Sequence, residues 1–99
     1  MSPILQLSLE EFCQSAELPV EYLFEIVEHG IIEPRGPDPQ SWRFDTRALL
    51  IARRATRLRR DLDLEWSGIA LALELLDELD QLRRENRRLR QRLGRFQLE

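Results

Sequence analysis

Apolar residues recur three and four apart along most of this chain and alternate only briefly, which predicts a mainly helical protein. The stretch "PILQLS" alternates like a short strand. "SLEE" follows as a capping box: Ser8 covers the first free amides and Glu11 reaches back to it, starting a helix of about residues 9–16. "ELPVEYLFEIVEHG" then predicts a second helix with Pro19 in its first turn. It buries Leu23, Ile26 and Val27 on one side and stops at Gly30, a left-handed cap. Two short helices joined by a tight turn make a helix-turn-helix.

"IIEPRGPDPQSWRF" offers an apolar pair, then Pro34, Gly36, Pro37 and Pro39, then "SWRF" returning as a strand, which predicts a hairpin-like wing. Asp45 caps a third helix with Ala48, Ile51, Ala52, Ala55, Leu58 and Leu62 at helical spacing; Arg53, Arg54, Arg57 and Arg60 lie on its other side. "DLDLEW" breaks the pattern. From Glu65 the chain supports one helix of about thirty residues, roughly 45 Å long. The division expected is a head over residues 1–64 and a long helix over 65–99, within one structural domain.

That helix carries a heptad seam. Ala72, Leu79, Asn86 and Leu93 occupy one line and Leu75, Leu82, Leu89 and Phe96 the adjacent one, the a and d positions of a coiled coil. A homodimer is expected, with Asn86 favouring a defined register. Glu78 and Glu85 at g face Arg83 and Arg90 at e in a parallel pair, but each exposed pair contributes only about 0.2–1 kcal/mol, so charge biases the orientation without deciding it.

Charge changes the picture through its distribution. All fifteen basic residues are arginine, and eighteen acids leave a formal charge of -3. Residues 1–50 hold nine acids against three arginines, whereas residues 51–99 hold nine against twelve. Residues 61–80 carry seven acids and no base; residues 83–95 carry seven arginines opposed only by Glu85. Such blocks make complementary surfaces for partners or for a second copy. The basic tail admits a second reading as a nucleic-acid arm, although its leucine seam favours dimerisation.

Chemistry is sparse. Cys13 is the single cysteine, which excludes an intrachain disulfide and fits a reducing compartment. No apolar run reaches membrane-spanning length, and the start lacks the pattern of an export signal, so a cytoplasmic location is expected. His29 is the lone histidine; with Cys13 it leaves a zinc site two ligands short. No phosphate-binding loop appears. Neither an enzyme nor a cofactor or metal is expected.

The order helix, helix ending "EHGIIEP", wing, "WRF" and "ALLIARRATRLRRDLDLEWSGIALALELLDEL" resembles a MerR-class winged helix-turn-helix. More closely, "LSLEEFC" with "LDLEWSGIALALELLDELDQLRRENRRLRQRLGRF" resembles the CbpM family of chaperone-modulatory proteins, over essentially the whole chain. That resemblance implies a MerR-like fold, no catalysis, and as partner the J-domain of the co-chaperone CbpA, which would be inhibited in its co-chaperone and DNA-binding activities.

The second helix agrees in sign. Where a DNA-binding MerR-like head presents an arginine and a tyrosine, this chain has Phe24 and Glu25. Glu21, Glu25 and Glu28 share one helix face, and facing a duplex with one negative charge per about 1.7 Å they would repel it. Direct nucleic-acid binding is therefore disfavoured, a MerR-like regulator remaining the alternative. J-domains as a family expose a basic second helix followed by His-Pro-Asp, which such a face would mask, with Tyr22 and Phe24 as apolar anchors or else core residues. A second acidic surface competes: Asp61, Asp63 and Glu65 before Trp66, and Asp77, Glu78 and Asp80 after it. Trp66 itself reads as core.

Overall fold

A computed structural model describes residues 6–97. Four helices follow in order: α1 (Leu9–Ala16), α2 (Val20–Glu28), α3 (Thr46–Leu62) and α4 (Trp66–Gln97). The expected capping box is present at α1. The Ser8 backbone N–H donates to Glu11 Oε1 at 2.9 Å, and the Glu11 N–H donates to Ser8 Oγ at 3.3 Å. These bonds favour the charged carboxylate and hold the Glu11 pKa below its ordinary value, the backbone donor acting most strongly. A depressed folded-state pKa means that this contribution is complete above the unfolded value of 4.5 and is lost as pH falls through the folded one. Ser8→Ala should destabilise the head by about 0.5–2 kcal/mol, measurable as a lowered midpoint in thermal unfolding near neutral pH.

α1 ends at Glu17, which takes a left-handed conformation (φ 55°), and buried Leu18 turns the chain into α2. Pro19 stands just outside α2 as its cap, where its missing N–H costs nothing, and the helix proper starts at Val20. Leu23 and Ile26 are buried, whereas Val27 is half-buried. Gly30 closes this end at φ 72°.

The wing is slighter than a hairpin of two strands. Two isolated antiparallel bridges hold it, Arg35 to Arg43 and Leu7 to Phe44, so among the described residues of the predicted alternation at "PILQLS" Leu7 alone pairs; Met1 to Leu5 lie outside the described residues. The physical reason is the proline-rich run, which lacks donors for a longer ladder. Gly36 is required here: its φ is 113°, and a Cβ would lie 2.5 Å from the Ser41 carbonyl oxygen.

Asp45 caps α3 by accepting from the Ala48 N–H at 2.8 Å. Small Ala48, Ala52 and Ala55 are buried, so α1 and α4 approach α3 closely. Ile51 and Leu58 are half-buried and Leu62 is exposed, so the core stripe is narrower than the sequence pattern suggests. Asp63 (φ 52°) ends α3, and α4 begins one residue later than expected. Phe12, Phe44, Leu23, Ile26 and Ile69 form the fully buried centre of the head, with Trp66 closing one side. The first turns of α4 thus belong to the head core, and the rest projects to give a molecule 61 Å long.

Candidate functional site

The outward face of α2 carries Glu21, Phe24, Glu25 and Glu28, with no arginine in the helix. Phe24 is 40 % exposed, and its ring meets Trp42 of the wing at 5.8 Å. Trp42 in turn packs edge-on against Phe44 at 6.1 Å, and Phe44 against Phe12 at 4.5 Å. An aromatic row therefore runs from the acidic surface to the core and props Phe24 in place. Glu25 accepts a close contact from His29 at 3.5 Å, while His29 Nδ1–H donates to the Glu25 carbonyl at 2.9 Å.

Tyr22 is not part of that face. It turns inward, its ring edge-on to Trp66 at 5.3 Å and its hydroxyl accepting from Arg59 at 3.2 Å. The Arg59 guanidinium lies 4.9 Å from the Tyr22 ring and 5.2 Å from the Trp66 ring, and its Nε is buried without a hydrogen-bond partner. Cation and aromatic faces attract, so Arg59 staples α2, α3 and the start of α4. Of the two readings open for Tyr22, contact or core, the geometry shows the core one. Sequence spacing missed this because Arg59 sits within a run of surface arginines.

The second acidic set divides in space. Asp61, in the last turn of α3 and paired with Arg60 at 3.8 Å, and Asp63, just past the end of that helix, are exposed. Asp77 lies about 16 Å further along α4, where it lines a cleft of ≈ 580 Å³ together with His29, Ile31, Arg47, Ile51, Arg54, Leu73 and Glu74. No motif points directly to this cleft, which draws on three separate segments. Its partial signal is the alternation of apolar and charged residues at Ile51/Arg54 and Leu73/Asp77.

Leu75, Leu79, Leu82, Leu89 and Leu93 are each 41–61 % exposed along α4, and Asn86 is exposed between them. Phe96 continues the line, but its side chain is outside the described ones. Cys13 is half-buried, and desolvation, reinforced by the charge of Glu21, pushes its thiol above the ordinary value. Among the described residues no group of three or more His, Cys, Asp or Glu could hold a metal ion, and no helix is long and apolar enough to cross a membrane.

Comparison with known proteins agrees with this architecture. Residues 7–91 match the family described as MerR HTH family regulatory protein. A chaperone modulatory protein CbpM of Pseudomonas putida strain W619 is 57 % identical, covering 94 % of this chain and 92 % of that protein. The chain belongs to the CbpM family. A second member, chaperone modulatory protein CbpM of Escherichia coli O139:H28, is 47 % identical over 90 % of this chain and 88 % of its own length. CbpM relatives are named as chaperone modulators rather than enzymes. The MerR-like, mainly helical architecture and the long last helix are those expected from the residues.

Proposed function

We propose that this chain modulates a chaperone system by binding the J-domain of a CbpA-type co-chaperone, masking the surface that engages a DnaK-type chaperone and inhibiting the co-chaperone's activity and DNA binding. The observation that carries this reading is the outward face of α2, with three carboxylates around a propped, 40 % exposed Phe24 and no arginine. A helix of that sign attracts a basic protein surface and repels DNA. Asp61 and Asp63 form an alternative docking patch outside this face. The MerR family match supports a second reading, DNA binding through wing residues Arg35 and Arg43, which predicts retention of duplex DNA at low salt and its steep loss as salt rises.

We also propose that two copies pair through α4 along Leu75, Leu79, Leu82, Asn86, Leu89, Leu93 and Phe96. Five leucines at heptad spacing, all exposed on a single chain, support a partner helix of the same kind. Partner binding and pairing then use different parts of the molecule, the head and the projecting helix.

Association with an immobilised J-domain tests the α2 face. Glu21→Arg with Glu25→Arg should slow association most at low salt, because exposed charges act chiefly through steering and are screened beyond about 8 Å at physiological ionic strength. Phe24→Ala should instead speed dissociation, with a loss of about 1–3 kcal/mol, once circular dichroism shows that the wing remains docked. A charge-reversed variant that associates as fast as wild type at low salt would shift the site to the Asp61 and Asp63 patch.

A further inference from the structure

The outer side of α4 changes sign along its length. In the heptad frame of the leucine seam, the b, c and f positions turn away from a paired helix. From Glu74 to Asp80 they hold Glu74, Asp77 and Asp80; from Arg84 to Arg95 they hold Arg84, Arg87, Arg88 and Arg95, with Gln91 and Gly94 between. No acid and no apolar side chain interrupts those arginines. Each of the four is exposed, and among the described residues none joins an ion pair within 4.0 Å. Arg83, Arg90 and Arg92 stand instead at e and g beside the seam, where the glutamates of a paired helix offset them. The outer four keep their charge whether or not the seam is covered.

We propose that this outer face binds the phosphate backbone of duplex DNA without reading its sequence. The site goes beyond the J-domain reading, does not rest on it, and is separate from Arg35 and Arg43 of the wing. Guanidinium groups hold phosphate through paired N–H donors. Arg84 to Arg95 span roughly 16 Å of helix, over which a DNA duplex carries about ten phosphate charges. A protein partner matches less well, because protein interfaces centre on buried apolar anchors and this face has none. A lipid surface needs an apolar helix face free to insert, and in the proposed pair the leucines are covered on the opposite side. Single strands are gripped by stacking on aromatic rings, and A-form RNA through its 2′-hydroxyls; the face offers no ring, and Gln91 alone for such contacts. The carboxylates of α2 do not govern this surface. Arg84 to Arg95 lie roughly 10 to 27 Å along α4 beyond the cleft residue Asp77, further than the distance of about 8 Å over which exposed charges act at physiological ionic strength.

The test is fluorescence anisotropy of a labelled, mixed-sequence DNA duplex titrated with the full chain at increasing salt. Wild type is compared with a variant carrying Arg84→Gln, Arg87→Gln, Arg88→Gln and Arg95→Gln, since glutamine keeps the helix propensity and leaves the leucine seam intact. Four neutralised phosphates give a slope of roughly -3.6 in log affinity against log salt, so wild-type affinity should fall roughly a hundredfold between about 50 and 200 mM salt. The variant should lose most of that slope and bind at least about tenfold more weakly at the lower salt. Absence of duplex binding by the wild type at about 50 mM salt, or a variant that keeps the wild-type slope, would overturn the proposal. Loss of binding in Arg35→Gln with Arg43→Gln, the fourfold variant being unaffected, would overturn it in favour of the wing. Tighter binding of a single strand or of an RNA duplex of the same length, or retention on anionic phospholipid vesicles without duplex binding, would overturn the assignment to duplex DNA. Should circular dichroism show lost helix in the fourfold variant, Arg84→Gln with Arg88→Gln carries the test with half the change in slope.

Discussion

Leu82→Asp combined with Leu89→Asp should leave the chain monomeric while the head stays folded. In the paired helix each aspartate would enter a dry leucine seam, where an unpaired carboxylate costs several kcal/mol. Each dimer carries the substitutions twice, so the dissociation constant should rise at least about a thousandfold. On the single chain Leu82 is 61 % and Leu89 56 % exposed, so neither supports the head. Light scattering at about tens of micromolar, a range in which weak coiled coils associate, should give the mass of two chains for the wild type and one for the variant. Wild-type monomers at that concentration would remove the dimer from the account. Far-ultraviolet circular dichroism should show lost helix confined to the far part of α4, with the cooperative melt of the head retained.

Phe44→Ala should produce the largest loss of stability. Phe44 is 1 % exposed, its backbone pairs with Leu7 in both directions at 2.7 and 2.8 Å, and its ring lies between Phe12 and Trp42. Removal of a buried phenyl ring costs about 3–5 kcal/mol, a large share of the roughly 5–15 kcal/mol that stabilises a domain of this size. The unfolding midpoint should fall by roughly 12–40 °C. Trp42 loses its support in the same step, so Phe24 loses its prop, and the proposed J-domain binding should weaken at temperatures where the head is still folded. A fall of only a few degrees would show that the wing is held by its backbone bridges rather than by the aromatic row.

Local rules made much of the fold readable from the sequence. The Ser8 and Asp45 caps, the breaks at Gly30 and Asp63, and the helical spacing of Ala48, Ala52 and Ala55 act within a few residues, and the structure follows them. The uninterrupted run after Gly68 likewise becomes one helix. What spacing did not reveal depends on distant segments meeting. Tyr22 looks like a surface neighbour of Glu21 and Phe24, yet Arg59 and Trp66, remote in sequence, draw it inward. Asp77 looks like a continuation of the Asp61 and Asp63 cluster, but about three turns of α4 carry it to the cleft. "SWRF" resembles a strand and so predicts a hairpin, but its partner segment has too many prolines to form a ladder.

The far end of α4 has a consequence for the lifetime of the protein. Beyond the cleft, about twenty residues of helix run without support from the head, so this part of α4 lacks the tertiary packing from which most helical stability in proteins comes. Arg83 with Arg87, Arg84 with Arg88, and Arg88 with Arg92 stand four residues apart and repel one another. A second helix would offset that repulsion by covering the leucines, so under the proposed pairing the integrity of this segment would follow the concentration of the chain. Each of its seven arginines is also a cleavage point for a trypsin-like protease. Under the proposed pairing, partial proteolysis should therefore shorten dilute samples to a protected head and spare concentrated ones.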